Sequence, residues 1–206
     1  MVVPGHALIV LIGAAGSGKS TFAARRFRPT EVLSSDAFRA MVADDEADQR
    51  ATPAAFDLLH RAAAHRLTRA RLTVVDATNL TTADRRGLIA LARTHDRPAV
   101  AIVFALPEAI AQDRNAERGG RVVEPTVVAR GSALAAALAA HPERLLGEGF
   151  RAVHVLRGAT AIERVRVTRE GRPPARPKPG PTPAGTTRPM SGKPAARPDE
   201  PPGRTS

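Results

Sequence analysis

The sequence predicts an α/β fold, with a mostly parallel β-sheet covered by helices on both faces. Three observations predict it. Between Ala7 and Leu156, five short apolar runs alternate with helix-compatible segments, the order of a βα series. The first run, Ala7–Ile12, is apolar without a break, as expected of a strand buried on both faces. That run feeds directly into a glycine-rich turn and then into a helical segment, Thr21–Arg26.

The turn is Gly13-Ala14-Ala15-Gly16-Ser17-Gly18-Lys19-Ser20, with the spacing G-x-x-x-x-G-K-[ST]. Between a strand and a helix, this pattern reads as a phosphate-binding P-loop. The glycines let the backbone wrap closely round a phosphate chain, with N–H groups pointing inward. The following helix presents its positive dipole end to the anion. Lys19 supplies a mobile point charge for the outer phosphates, and the Ser20 hydroxyl is placed to ligate Mg²⁺. The chain holds 31 Lys and Arg, yet its only lysines are Lys19, Lys178 and Lys193. An arginine-rich chain thus keeps lysine where a compact, flexible ammonium is needed.

Composition sets the bounds. A length of 206 residues and 43% hydrophobic content suit one sizeable core; at 3% aromatic residues, aliphatic side chains must build it. The lack of cysteine excludes disulfides, thiolate zinc sites and cysteine nucleophiles, and fits a cytoplasmic location. Met1–Ile12 lacks the basic region and cleavage site of a signal peptide, and no apolar run approaches transmembrane length, so no membrane partner is expected.

The net charge is +11. From Gly171 to Ser206, seven Lys and Arg face Asp199 and Glu200, which leaves +6 on residues 1–170. A basic domain suits a polyanionic partner such as nucleic acid, and equally a protein that binds only a nucleotide. Eleven of the 18 prolines lie from Gly171 onward, with almost no large apolar residues. The expected organisation is a domain over residues 1–170 and a disordered basic tail over 171–206.

The remaining elements follow in order. Glu31-Val32-Leu33 is a short second strand ending at Ser34-Ser35-Asp36, and a short helix covers Ala37–Ala43. The acidic run Asp44–Asp48 reads as a solvated loop. Thr52-Pro53 predicts a helix start, with Thr52 as cap, running to about Arg71; Phe56, Leu59, Ala63 and Leu67 form its apolar stripe. His60 and His65, five apart, share no face and receive no metal. Leu72–Val75 is the third strand, ending in Asp76-Ala77-Thr78-Asn79, and a helix covers Thr82–His95. Ala99–Phe104 is the fourth strand. The helix opened by Pro107 carries Arg114 and Arg118 and stops at Gly119-Gly120. Pro125 begins a helix to about Ala140, and Ala152–Leu156 is the fifth strand. The periodicity of Ile162–Val167 suits either a strand or a helix.

In an open α/β sheet, ligands sit at the carboxyl ends of the strands. The P-loop, Asp36 and Asp76 occupy three such ends. Phosphoryl transfer needs one acid to orient Mg²⁺ and one to accept the proton of an attacking hydroxyl, and these two aspartates can fill both roles. Helix capping is the alternative for each. Arg39, three residues after Asp36, shares its helical face and would hold a phosphate of the acceptor; a surface salt bridge is the alternative. Arg114, Arg118 and Arg121, spaced four and three, would form one positive edge on a lid; a solvated arginine face is the alternative.

The set GAAGSGKST, SSD-x-x-R at Ser34–Arg39, VVDATN at Val74–Asn79, Arg85, and RN-x-x-R at Arg114–Arg118 resembles the kinase module of bacterial polynucleotide 5′-kinase/3′-phosphatases and the P-loop kinases around it. The resemblance spans about residues 7–168. It implies a P-loop NTPase fold with five parallel strands in the order 2-3-1-4-5 and an arginine-bearing helical lid. It implies ATP and Mg²⁺ as cofactors, with Gly13 to Ser20, Thr21 and Arg114 at the nucleotide and Ser20 with Asp76 at the metal. Lys19, Asp36, Arg118 and Arg121 would be catalytic, Asp36 as general base. Arg39, Thr78, Asn79 and Arg85 would lie toward the acceptor.

The activity implied is transfer of the γ-phosphate of ATP to the 5′-hydroxyl of DNA or RNA. Kinases of sugars, antibiotics or nucleotide-sugars share most of these motifs, and a nucleotide-binding regulator with little turnover is a third reading. Two departures stand out. No phosphatase or ligase module follows within these residues. The lid reads Arg118-Gly119-Gly120-Arg121-Val122-Val123-Glu124-Pro125 where the family has a tighter R-x-V-P, which loosens the register of Arg121.

Overall fold

A computed structural model describes residues 1–117 and 122–171. The expected lid arginines Arg118 and Arg121 lie outside the described residues, as does the expected tail beyond Gly171.

The described residues form strands β1 (Val2–Pro4), β2 (Leu8–Ile12), β3 (Val32–Ser34), β4 (Thr73–Asp76), β5 (Ala99–Ala105), β6 (Ala152–Arg157) and β7 (Thr168–Glu170). The helices are α1 (Lys19–Arg26), α2 (Ser35–Ala43), α3 (Thr52–Thr68), α4 (Thr82–Thr94), α5 (Glu108–Ala116), α6 (Pro125–Ala140), α7 (Pro142–Glu148) and α8 (Gly158–Arg164). Short 3₁₀ turns precede β3 and α3. The main sheet is parallel throughout, in the order β3-β4-β2-β5-β6. That is the 2-3-1-4-5 order expected for the five strands read from the sequence. No helix among the described residues is long and apolar enough to cross a membrane.

The period-2 geometry of the strands divides the core between the two sheet faces. Ile9, Leu11, Val74, Val100, Ile102 and Phe104 point to one face, against Phe22 of α1, Ala111 of α5, Val128 of α6 and Ile162 of α8. Leu8, Val10, Ile12, Val75, Ala101 and Val103 point to the other, against α3, α4 and α7. All five residues of β2 are buried, so this strand is held from both sides. The few aromatic residues are concentrated: the Phe22 ring meets Phe104 edge-on at 5.2 Å and Phe27 at 6.0 Å.

Several local expectations change. Thr52 is the first residue of α3 rather than its cap, because the 3₁₀ turn Gln49–Ala51 enters the helix with Ala51 already helical. The helix ends at Thr68, since Ala70 takes a left-handed conformation (φ 51°). Past the helix end, Arg66 donates to the Leu72 carbonyl at 2.7 Å. The ambiguous Ile162–Val167 segment falls partly in α8 and then runs on toward β7. Two features were unforeseen: the helix α7, and a second, two-stranded parallel sheet pairing β1 with β7. Arg169 of β7 clasps Glu31 through both carboxylate oxygens, at 2.8 and 2.9 Å, so Glu31 belongs to a turn and an ion pair rather than to the second strand.

Candidate active site

The P-loop follows β2 at the carboxyl edge of the sheet. Gly18 caps α1 in the left-handed conformation (φ 88°), no side chain caps the helix, and its first turn carries no acidic residue. Its leading N–H groups are therefore open to an anion, with no carboxylate in that turn to compete. Gly16 is also left-handed (φ 75°), and a Cβ there would collide with the Ala111 carbonyl oxygen of α5. A close backbone approach thus requires glycine at this position. Lys19 is only 7% exposed, and its ammonium donates to the carbonyls of Gly13 (2.9 Å) and Ala14 (2.6 Å) and to Ser17 Oγ (3.3 Å). Ser20 and Thr21 are exposed beside it, on the first turn of α1.

A cleft of about 740 Å³ opens over the loop. On one side stand Lys19, Ser20, Thr21 and Arg114. Arg114 projects from α5 so that a Cβ on Gly18 would lie 3.4 Å from its Nη1, which sets a cation over the P-loop. On the other side stand Asp36, Arg39, Thr78 and Asn79. The cleft therefore gathers nearly all the described residues that the sequence singled out.

The two aspartates are not caps. Ser34 caps α2, accepting from Ala37 N, and leaves Asp36 in the first turn with its carboxylate toward the cleft. Thr81 and Asp84 form the capping box of α4, and Asp76 remains the last residue of β4, 5% exposed and in register with Leu11 of β2. Arg39 is no surface ion pair. Only 4% exposed, it holds Asp36 Oδ1 through Nη2 and the Glu46 carbonyl through Nε at 2.8 Å. The acidic run thereby contributes a backbone carbonyl that fixes Arg39. Among the described residues no three His, Asp or Glu side chains gather to bind an ion. The oxygen donors at hand, Ser20 and Asp76, suit a hard cation that takes its other ligands from water and phosphate.

Arg85 corrects the expectation that it faces the acceptor. It is 1% exposed and stays out of the cleft. Its guanidinium spends all three nitrogens on Glu148, Thr82 and the carbonyls of Asn79 and Leu80. The Arg85 ion pair holds the Glu148 carboxyl below the usual glutamate range, against the opposing effect of burial. Asn79 is 1% exposed and left-handed (φ 47°); it donates to the Leu11 carbonyl at 2.8 Å and the Ala77 carbonyl at 3.3 Å.

The sequence reading missed Phe56, Thr52 and Gln49 as cleft-lining residues. Phe56 belongs to the apolar stripe of α3 and packs half-buried against the core, and it also lines the cleft. Its i, i+4 spacing from Thr52 was the available signal. Asn115 was also missed as a site brace: its amide bonds Val123 twice, at 2.7 and 3.0 Å. That clasp ties the end of α5 to the approach of α6.

With this geometry in hand, the chain can be compared with known proteins. The sequence profile of the AAA domain family matches residues 8–141. The chain belongs to this family. No curated protein matches it. Solved structures to which it is similar include a tunicamycin resistance protein from Deinococcus radiodurans, at 17% identity and a TM-score of 0.47, covering 73% of this chain and 86% of that one. A gluconokinase from Sinorhizobium meliloti shares 18% identity at a TM-score of 0.42, covering 75% and 84%. A chain of the Pnkp1/Rnl/Hen1 complex shares 23% at 0.46, covering 57% of this chain and 40% of that one. At such identities and scores, these likenesses carry no argument about activity. The P-loop kinase-like α/β fold rests on the family match and on the strand order.

Proposed function

We propose that this protein is an ATP-dependent kinase that transfers the γ-phosphate to a hydroxyl, and that the acceptor is the 5′-hydroxyl of DNA or RNA. The observation that carries the reading is the Asp36–Arg39 pair, facing the same cleft as Lys19 and the P-loop. A carboxylate aimed into the cleft by a buried guanidinium stands where a general base for a hydroxyl is needed.

In this reading the P-loop N–H groups and Lys19 bind the β- and γ-phosphates. Lys19 exchanges its contacts with the loop carbonyls for phosphate oxygens. Ser20 and Asp76 would hold Mg²⁺, which neutralises charge on the phosphates when bound. The acceptor oxygen attacks the γ-phosphorus and its proton passes to Asp36. The new O–P bond forms as the bond to the β–γ bridging oxygen breaks, and ADP leaves with that oxygen. Arg39 orients Asp36 and binds a phosphate of the acceptor strand. Arg114 stabilises charge on the transferring group, with Arg118 and Arg121 proposed to join it.

One observation favours a second reading, a small-molecule kinase. Among the described residues that line the cleft, the cations Lys19, Arg25, Arg26, Arg39 and Arg114 are matched by the carboxylates Asp36, Asp76, Asp84, Glu117 and Glu163, so the lining carries no net positive charge. A neutral hydroxyl compound would suit that balance.

The deciding assay measures transfer of label from γ-labelled ATP to 5′-hydroxyl DNA, 5′-hydroxyl RNA and a panel of sugars and antibiotics. Labelled nucleic-acid ends, with acceptor affinity falling steeply with salt at a slope of about −0.7 per phosphate contact, support the first reading. Label on a small molecule alone, with a flat salt response, replaces it with the second.

A further inference from the structure

The Arg85–Glu148 pair lies behind the cleft, and the kinase chemistry above makes no use of it. Arg85 sits on the first turn of α4. Glu148 is the last residue of α7, where Gly149 stops the helix in a left-handed cap (φ 118°). Nε and Nη2 of Arg85 grip the two carboxylate oxygens at 2.7 and 2.6 Å. Nη1 grips the carbonyls of Asn79 (2.9 Å) and Leu80 (2.8 Å), and Thr82 Oγ1 joins from beside them, accepting from Nη2 at 3.3 Å. One planar fork therefore locks the segment between β4 and α4 to a helix far along the chain.

That segment is the one that carries Thr78 and Asn79 to the cleft. It also reaches the P-loop itself: the Thr78 carbonyl accepts from Gly13 N at 3.0 Å, and the Asn79 amide bonds the Leu11 carbonyl at the end of β2. The hydrogen bonds run without a break from Glu148 through Arg85 and the 78–80 backbone to the first residue of the phosphate loop. Asn79 is held left-handed within this run, and its buried Oδ1 has no hydrogen-bond partner among the described residues. A non-glycine residue in that conformation persists only where its surroundings hold it there.

We infer that Arg85, anchored by Glu148, is a positioning residue: it sets the register of the 77–81 segment against Gly13, and so the placing of the acceptor side relative to the phosphate loop. Lysine cannot replace it. A single ammonium cannot span the carboxylate and two backbone carbonyls that the fork holds in one plane.

The test uses the full chain with Arg85→Lys, which keeps the charge and loses the fork, and Glu148→Gln, which keeps the shape and weakens the anchor. The first readout is amide hydrogen exchange, which requires no activity. Exchange at Gly13 N–H is expected to rise about tenfold or more in both variants, while Ile102 in β5 keeps its protection, as for a local opening. An unchanged Gly13, or an equal rise at Gly13 and Ile102, overturns the proposal. The second readout rests on the kinase reading: kcat is expected to fall about tenfold to a hundredfold, with KM for ATP within about twofold. An unchanged kcat in folded Arg85→Lys overturns the proposal and leaves the kinase reading standing. If the wild-type chain transfers phosphate to no acceptor, the kinase reading fails and the exchange data alone decide the positioning role. If Arg85→Lys does not fold, Glu148→Gln carries both readouts.

Discussion

The two sides of the cleft are built in opposite ways. The phosphate side is almost one continuous stretch, Gly13 to Thr21, shaped by two left-handed glycines and the start of α1. The acceptor side is assembled from the first turn of α2, the first turns of α3 and the segment after β4, which meet only in the folded chain. The first recognises a feature shared by all nucleoside triphosphates, so a local backbone shape suffices. The second must recognise one acceptor, and its side chains come from separate elements whose spacing can change without disturbing the P-loop. In the proposed kinase reading, a general donor site is thus separate from a specific acceptor site.

The contrast can be broken or sharpened by substitution. The largest effect is expected for Asp36→Ala: loss of the base should lower kcat by about 10²- to 10⁴-fold while ATP affinity, measured by calorimetry, is retained. An active Asp36→Ala enzyme would remove Asp36 from the role of base. Lys19→Ala comes next, with kcat down about a hundredfold or more and ATP affinity reduced as well, because the phosphate side serves both binding and transfer. If ATP affinity were lost in Asp36→Ala and kept in Lys19→Ala, the division between the two sides would be reversed.

Gly16→Ala should weaken ATP binding about tenfold, since the added methyl meets the Ala111 carbonyl and the left-handed backbone resists a side chain by about 1–2 kcal/mol. Equal affinities for Gly16→Ala and the wild type would mean that the loop relaxes freely.

The smallest effect concerns pH and lies away from both sides of the cleft. Burial lowers the pKa of His60, His154 and His6. Asp57 opposes the shift at His60; Arg97 adds to it at His6, where Asp96 opposes it. In the unfolded chain these rings take up protons near pH 6.5. A histidine with a depressed folded pKa contributes stability that is complete above that value and is lost as pH falls through the folded pKa. The Tm should therefore hold above about pH 6.5 and decline on acidification. The depressed Glu148 acts in the same direction, below about pH 4.3. A Tm that rose between pH 7 and pH 5 would contradict the burial of these rings.

Much of the donor site was legible in the sequence. An unbroken apolar run, glycines at fixed spacing and the sole lysine of the first 170 residues describe a strand, turn and helix whose geometry is local. That Asp36 and Asp76 line the cleft was legible because strand ends converge on one edge of a parallel sheet, and Arg39 followed from its place three residues after Asp36 on one helix. That Phe56 also reaches the cleft and that Arg85 faces inward were not legible, for a shared reason. Helical periodicity places Phe56 on a stripe without saying where the stripe meets the cleft. The residue that anchors Arg85 lies 63 positions away, on a helix that no apolar pattern announced.

The sequence by itself determined the succession of strands and helices along the chain, the phosphate loop and the two acidic strand ends, because φ/ψ preferences, side-chain periodicity and turn chemistry act over a few residues. Only the tertiary structure decided that Arg39 is buried and tied to the Glu46 carbonyl, that Arg85 faces inward to Glu148, and that β1 pairs with β7. Those outcomes depend on which distant groups meet where water is excluded. There a charge must find its partner, and no local preference specifies which one.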